Sequence, residues 1–280
     1  MADTDPRVWL ITGSSSGFGR QLARTALEHG DRVVATARQK SSLDELVAAA
    51  PDGAAIAVPL DVTDPVQRAA AVAAAVDRFG RLDVLVNNAG FGSVGAVEEI
   101  EDGPFRSLME TMFFGAFALT QAALPVMRRQ RSGAIVQISS MGGQVTMPGF
   151  GAYCAAKFAL EAISESLAAE VSALGIQVLI VEPGAFRTGF GGAGMQRSPE
   201  LGEVYAGTVG PTRRAVDGMD GTQPGDPGKA AAAIVRALDA ADAPLHLALG
   251  DDAVDAIRAA QDARRADLEA WEQVSRATAV

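Results

Sequence analysis

Cysteine is nearly missing from this chain: Cys154 stands alone among 280 residues. A single thiol excludes an internal disulfide, and with only His29 and His246 for imidazoles, no Cys/His cluster has the spacing of a zinc site. No metal is therefore expected, and a reducing, cytoplasmic setting fits best. Basic charge is also in short supply, with 24 Lys and Arg against 34 Asp and Glu and a net charge of −10. Repulsion from phosphates disfavours a general nucleic-acid-binding surface, so any phosphate ligand must be held locally. Long apolar runs are absent too. No segment offers about 18 uninterrupted apolar residues, and the stretch from Met1 to Arg7 is acidic and polar, without a signal-peptide core. The expectation is a soluble, non-exported chain with no membrane partner.

What is present is an apolar fraction of 48%, ample for a buried core. From residue 7 to about 180 one rhythm repeats: a short β-branched apolar run, a Gly or polar turn, then an Ala/Leu-rich amphipathic stretch. Strands are predicted at 8–12, 32–36, 54–60, 84–86, 134–138 and 177–181, with a seventh at 245–249. Helices are predicted at 17–28, 43–49, 65–79, 104–129, 152–174 and 227–240. Helix-length connections between short buried strands demand parallel, right-handed crossovers with helices on both faces. The fold class is therefore α/β: a doubly wound, Rossmann-type three-layer sandwich on a mainly parallel sheet of seven strands, forming one domain over 1–280.

Composition shifts once, at about 188–228, where eleven glycines and four prolines interrupt any periodicity. This lobe follows the sixth strand, whose carboxyl end borders the ligand crevice in such sheets. Two readings stand, a mobile substrate lid and a plain surface loop, with the lid favoured on loop-length grounds. From 251 to about 274 a charged helix either caps the fold or mediates assembly.

The first strand runs directly into Thr12-Gly13-Ser14-Ser15-Ser16-Gly17-Phe18-Gly19 and then a helix. Glycines there permit positive φ and a close main-chain approach to a pyrophosphate, whose charge meets free N–H groups at the helix N-terminus. Ser14, Ser15 and Ser16 add hydroxyl donors. A Gly-rich turn alone is a weak signal; the strand before and helix after raise it. The TGxxxGxG spacing resembles the short-chain dehydrogenase/reductase family and differs from the GxGxxG of longer dehydrogenases.

At the end of the second strand, where dinucleotide folds meet the adenosine ribose, the chain reads Ala35-Thr36-Ala37-Arg38. No carboxylate stands at Ala37 to repel a 2′-phosphate, and Arg38 can fork onto one. Such a partly exposed pair is worth ~1–3 kcal/mol, about tenfold to a hundredfold in preference. NADP(H) is therefore expected over NAD(H). Asp61-Val62 ends the third strand, where the resemblance implies the adenine ring, and Asn88-Ala89-Gly90 follows the fourth.

Tyr153 and Lys157 are four residues apart on a predicted helix, so they share a face within about 6 Å. Ser140 ends the fifth strand and points into the same crevice, whereas its neighbour Ser139 alternates to the other face. Reducing a ketone requires a proton for the forming alkoxide as hydride arrives, and a phenol with a pKa near 10 is poorly poised for this. Bringing it to near neutrality takes roughly 4 kcal/mol, which a cation at ~4 Å supplies at an effective dielectric near 20. Lys157 is the obvious cation, and the Ser140 hydroxyl polarises the carbonyl. Cys154, without a histidine nearby in sequence, reads as a packing residue rather than a nucleophile.

Taken in order, the Gly-rich turn, Asn-Asn-Ala-Gly, Ser140, Tyr153 and Lys157, and Pro183-Gly184 followed by Thr188 resemble the family over about 7–190, in its 17β-hydroxysteroid and retinol dehydrogenase-like branch. The resemblance implies that Pro183, Gly184, the backbone at Phe186 and the Thr188 hydroxyl fix the nicotinamide. It implies a homodimer or homotetramer paired through the helices at 104–129 and 152–174. It also exposes a departure: where the family carries an asparagine that anchors a relay water, this chain has Met112, a weak acceptor at best. A main-chain carbonyl could hold that water, Thr111 or another polar group could substitute, or proton transfer could be slow. Candidate lining residues Phe91, Met141, Val145, Met147 and Phe150, with Phe186, Phe190, Met195 and Met219 in the later turns, suggest a hydrophobic ketone, aldehyde or secondary alcohol. Two rivals stay open: an NADP(H) sensor without turnover, and an epimerase or dehydratase working by transient oxidation.

Overall fold

The computed structural model describes residues 5–192 and 194–278. Its centre is a seven-stranded sheet in which every neighbouring pair is parallel. In chain order the strands are β1 (Val8–Ile11), β2 (Arg32–Ala37), β3 (Ala55–Pro59), β4 (Val84–Asn87), β5 (Gly92–Val94), β6 (Gly133–Ile138), β7 (Ile176–Pro183), β8 (Met195–Arg197) and β9 (His246–Leu249). The large sheet runs β3-β2-β1-β4-β6-β7-β9, and β5 pairs with β8 separately. The order reverses between β1 and β4, which opens a crevice beyond their carboxyl ends. The helices are α1 (Gly17–Glu28), α2 (Asp44–Ala48), α3 (Pro65–Phe79), α4 (Asp102–Met109), α5 (Gly115–Gln130), α6 (Gly151–Val171), α7 (Gly210–Asp217), α8 (Pro227–Asp239) and α9 (Asp251–Arg276).

Strands buried on both faces need two cores, and alternation along each strand builds them. Trp9, Ile11, Val33, Val86 and Val136 pack under α1 and α8 on one side. Val8, Leu10, Val34, Leu85 and Ile135 pack under α3 and α5 on the other. The three predicted layers and seven strands are thus present, each strand within about two residues of its expected bounds.

Three features depart from the sequence reading. The single helix expected at 104–129 is two helices joined by a π turn over Glu110–Phe114, with Gly115 donating to the Glu110 carbonyl five residues back. Such insertions gather at functional sites, and this one carries Met112. The segment expected at 43–49 divides into a 3₁₀ turn, Lys40–Leu43, and the short α2. Finally, the Gly-rich stretch at 188–228 carries β8 and α7, and β8 pairs with β5 through Gly92↔Met195 and Val94↔Arg197.

A buried carboxylate anchors that stretch. Glu99 accepts from the Ala96 N–H at 2.7 Å and the Leu201 N–H at 3.0 Å, and pairs with Arg213 of α7 at 2.5 Å. Burial alone would raise its pKa; the two N–H donors and the guanidinium overcome that and hold it below the ordinary glutamate value. The contribution is therefore present above the ordinary glutamate range and is lost as pH falls through the depressed value. Glu99→Ala leaves the Ala96 and Leu201 N–H groups without their acceptor and Arg213 with only the Ser198 carbonyl and the more distant Glu200, a loss of ~2 kcal/mol in local stability. Amide exchange over 195–217 should accelerate accordingly, more steeply than the global melting temperature falls.

Candidate active site

The carboxyl ends of β1, β4, β6 and β7 converge on one crevice, and the residues singled out in the sequence meet there. At β1 the Gly-rich turn is held from two sides. The Thr12 hydroxyl accepts from the Asn88 and Ala89 N–H groups at 2.8 and 2.9 Å, while the Asn88 side-chain amide donates to the Thr12 carbonyl at 2.8 Å. Gly13 and Gly17 have φ of +67° and +54°, conformations that favour glycine. A Cβ at Gly19 would stand 2.5 Å from both the Gly13 carbonyl oxygen and the Asn88 amide nitrogen. Ser16, the residue preceding α1, makes no side-chain cap, so the first-turn N–H groups of α1 are free to meet an anion. Ser15 is half-buried and Ser16 exposed at the turn. Ser14 corrects an expectation: fully buried, it donates to the Ile11 carbonyl at 2.8 Å and accepts from Thr36 N–H, so its hydroxyl fastens β1 to β2 and is unavailable to a phosphate.

Around this turn the other candidates take their positions. Arg38 is exposed just beyond β2 and has no ion-pair partner among the described residues. Asp61 accepts from the Thr63 N–H at 2.9 Å, and Val62 is buried beside it. Gly90 faces Met112, a Cβ there falling 3.3 Å from the Met112 side chain. Beyond β7, Asp252 of α9 accepts from Ala185 N–H at 2.7 Å and leaves no room for a side chain at Gly184. Phe186 packs on Phe18 with ring centroids 5.1 Å apart, and Thr188 lies against Gly17. Open backbone at two glycines, uncapped α1 amides and a fixed Asn88 fit a dinucleotide: the turn and α1 would take its pyrophosphate, and residues 183–188 its nicotinamide end.

Ser140, Tyr153 and Lys157 share a cavity of about 200 Å³. Lys157 is buried and donates to the Ile138 carbonyl at 2.7 Å, with its nitrogen 5.8 Å from the centre of the Tyr153 ring. Ser140 accepts from the Gly142 N–H at 3.0 Å. The Tyr153 ring is wedged edge-on between Phe150 and Phe190 at 6.0 and 5.5 Å. This corrects the expected electrostatics. Burial pushes the phenol well above its ordinary pKa, and a hydrogen bond to Ser140 opposes the push without reversing it. Lys157 is itself pulled down to about 8 by burial, with the Glu161 carboxylate acting against the fall. In the protein alone the phenol is therefore a held acid rather than an activated base.

The rest of the cavity is apolar and rich in methionine, with Met112, Met141, Met147, Met195 and Met219 on its wall. Phe91 and Val145, expected there, are not: Phe91 packs in a cluster beside Leu108, and the Val145 carbonyl accepts from the Cys154 thiol at 3.4 Å. Burial pushes that thiol up, which suits packing and not nucleophilic attack. Thr111 does not stand in for the relay asparagine, because its hydroxyl donates to the Ser107 carbonyl at 3.0 Å on the exposed side of the helix. Two contributors escaped the sequence reading. Thr12 was legible only as a turn residue, and Gln223 of the Gly-rich stretch brings an amide to the apolar wall.

This arrangement has counterparts among known proteins. The family model described as short chain dehydrogenase matches residues 7–197. The chain is similar to a crystal structure of a short-chain dehydrogenase from Streptomyces avermitilis, at 53% identity and a TM-score of 0.91, over 98% of this chain and 100% of that one. It is 39% identical to the oxidoreductase BOA17 of Botryotinia fuckeliana over 98% of this chain and 99% of the relative. It is also 42% identical to the 3-ketodihydrosphingosine reductase of Bacteroides thetaiotaomicron, over 66% of each chain.

Gly19→Ala tests the turn. The added Cβ meets backbone at Gly13, which cannot swing aside as a flexible side chain could, so nicotinamide-nucleotide binding followed by fluorescence should weaken at least tenfold, about 1.4 kcal/mol or more.

Proposed function

The chain belongs to the short-chain dehydrogenase family, and from that premise we propose that it is an NADP(H)-dependent ketoreductase and alcohol dehydrogenase acting on hydrophobic carbonyls or secondary alcohols. The observation that carries this reading is the buried Tyr153 phenol, its pKa pushed up by burial, beside Ser140 in an apolar cavity. The nicotinamide, when bound, supplies or accepts the hydride. Everything else falls to the chain's own side chains. Ser140 donates a hydrogen bond to the substrate oxygen, Tyr153 delivers a proton to that oxygen as negative charge gathers on it, and Lys157 restores the proton to the phenolate. Phe150, Phe190 and the methionines exclude water, which strengthens each of these interactions.

Arg38 and the lack of a carboxylate at Ala37 support NADP(H). The remaining cofactor contacts follow the same reading: Gly13, Ser15, Ser16, Gly17, Phe18 and Gly19 at the pyrophosphate, Asp61 and Val62 at the adenine, and Asn88, Ala89 and Gly90 beneath the nicotinamide ribose. Tyr153 and Lys157 share that ribose, and Pro183, Gly184, Phe186 and Thr188 take the carboxamide. Methionine favours an adaptable fit, since the thioether side chain has three rotatable bonds and no fixed shape. A wall of five methionines supports a range of apolar ketones rather than one rigid substrate. The stretch at 188–228 contributes Phe190, Met195, Met219 and Gln223 to that wall, which supports a lid over the substrate rather than a plain surface loop, and Glu99 ties it down as a held cover rather than a mobile one. A cytoplasmic homodimer or homotetramer completes the reading; Phe114 is exposed at the end of the π turn, just before α5 and beside the stacked Phe113 and Phe117, and offers an apolar patch for a second copy.

A panel of apolar ketones, followed by loss of reduced-nicotinamide absorbance, tests the proposal. NADPH should exceed NADH in kcat/KM by about tenfold to a hundredfold, and Arg38→Ala should remove most of that preference. A kcat/KM as high with NADH contradicts the NADP(H) reading. Tyr153→Phe should lower kcat by about 10² or more, a far larger loss than that in NADPH binding.

A further inference from the structure

The face of α6 that carries Tyr153 and Lys157 continues to a third buried titratable group, Glu161, one turn beyond the lysine. Its surroundings are built for a carboxyl group. The Ser139 hydroxyl donates to one oxygen and the Gln144 side-chain amide to the other at 2.5 Å, and a Cβ at Gly143 would overlap the first of these oxygens. Yet no lysine, arginine or histidine forms a direct ion pair with it among the described residues; Lys157 and His246 attract it only from further off, and a buried carboxylate without a close cation is costly. A glutamine would satisfy both neighbours without that cost. The arrangement makes sense for a group that gains and loses a proton.

We propose that Glu161 is the positioning and relay residue through which Lys157 exchanges protons with solvent, by way of His246 and Glu165. The inference rests on the reductase reading above and supplies the proton route that Met112 fails to provide. Side-chain atoms of Glu161, Glu182 and His246 all lie within 4.8 Å of one another, a gap that one water bridges. His246 is held by Glu182 of β7 at 2.7 Å on one ring nitrogen and meets Glu165 of α6 at 3.5 Å on the other. Glu182 is buried, His246 is 34% exposed and Glu165 is 53% exposed, so the line runs from core to water. The groups facing Glu161 are Lys157 on its own helix, Ser139 after β6, Gln144 in the following turn, Glu182 on β7 and His246 on β9. From α9, Arg264 holds the Gln144 carbonyl at 2.5 Å.

The protons balance. In reduction the Tyr153 O–H bond breaks as the substrate oxygen gains its proton, and the phenolate takes one from the Lys157 ammonium. The Lys157 amine takes one from the Glu161 carboxyl through a bridging water, since the two groups do not form a direct ion pair. The Glu161 carboxylate is refilled through the bridging water of the Glu161, Glu182 and His246 group, with His246 drawing a proton in turn from solvent on its Glu165 side. One proton enters at the surface for each hydroxyl formed. Burial and the nearby Glu182 raise the Glu161 pKa to about 7, against the pull of Ser139, while burial lowers Lys157 to about 8, so the two are brought toward each other.

Two readouts test this in the full chain: kcat against pH for ketone reduction, and the carboxylic-acid C=O infrared band of the substrate-free protein. In the wild type, kcat should fall as pH rises through about 7 to 8, and a buried carboxyl band should fade with a midpoint near 7. Glu161→Gln keeps the shape and both hydrogen-bond positions. It should lose that band, lower kcat about tenfold or more and flatten the limb, with NADPH affinity and KM within about twofold of wild type. Added imidazole should restore part of the activity of His246→Ala and none of that of Glu161→Gln. A wild type that turns over alongside an unchanged Glu161→Gln overturns the relay and leaves the reductase reading standing. Parallel loss of NADPH affinity and kcat in Glu161→Gln also overturns it, since packing alone then explains the residue. A wild type that oxidises NADPH with no ketone removes the reductase reading itself, and the relay with it, however the carboxyl band titrates.

Discussion

The hydrogen bond from the Lys157 ammonium to the Ile138 carbonyl, 2.7 Å long and wholly buried, ties the longest core helix to the end of β6, and the site is assembled around it. Ile138 is the last residue of β6, so its carbonyl is an acceptor at the sheet's end rather than in its ladder. Once Lys157 is fixed there, the helical repeat sets Tyr153 one turn before it in the cavity and Glu161 one turn after it behind the sheet end. One bond thus aligns three titratable groups along a single helical face. Burial then sets their protonation: it pushes the phenol up, brings the ammonium to about 8 and lifts the carboxyl to about 7.

A second constraint works on the cofactor side. The Gly-rich turn must come close to an anion and still be rigid, two demands that glycine alone does not reconcile. Rigidity is supplied from outside the turn, by Thr12 and Asn88 across β1 and β4 and by the buried Ser14 hydroxyl across β1 and β2. The lobe side follows similar physics, with Glu99 satisfying two backbone N–H groups and one guanidinium so that a segment rich in glycine is held over the apolar wall.

Much of this was legible in the sequence, for identifiable reasons. Apolar runs of strand length separated by helix-length amphipathic stretches leave few topologies, and the seven parallel strands lie where the runs do. Ser140, Tyr153 and Lys157 converge because helical and strand periodicities fix which side chains share a space. The misses have equally physical causes. The π turn at Glu110–Phe114 inserts a residue without disturbing composition, so no pattern reveals it. The β5–β8 pair joins three-residue strands a hundred positions apart, below the length at which alternation is readable. The phenol was expected to be lowered by Lys157, but burial between Phe150 and Phe190, a tertiary effect, decides its state. Glu161 carried a readable signal, an acidic residue on the buried face of an Ala/Leu-rich helix, but its partners Ser139, Gln144, Glu182 and His246 come from four other places in the chain.

The central claim is that a buried, protonated Tyr153 gives its proton to the substrate oxygen as hydride arrives. A single-turnover measurement of NADPH oxidation in H₂O and D₂O, with a saturating apolar ketone and below the pH at which the relay empties, tests it most directly. The account predicts a solvent isotope effect clearly above unity on the hydride-transfer step, lost in Tyr153→Phe together with most of the rate. An isotope effect of unity in the wild type, or a Tyr153→Phe variant that keeps both the rate and the isotope effect, would contradict it.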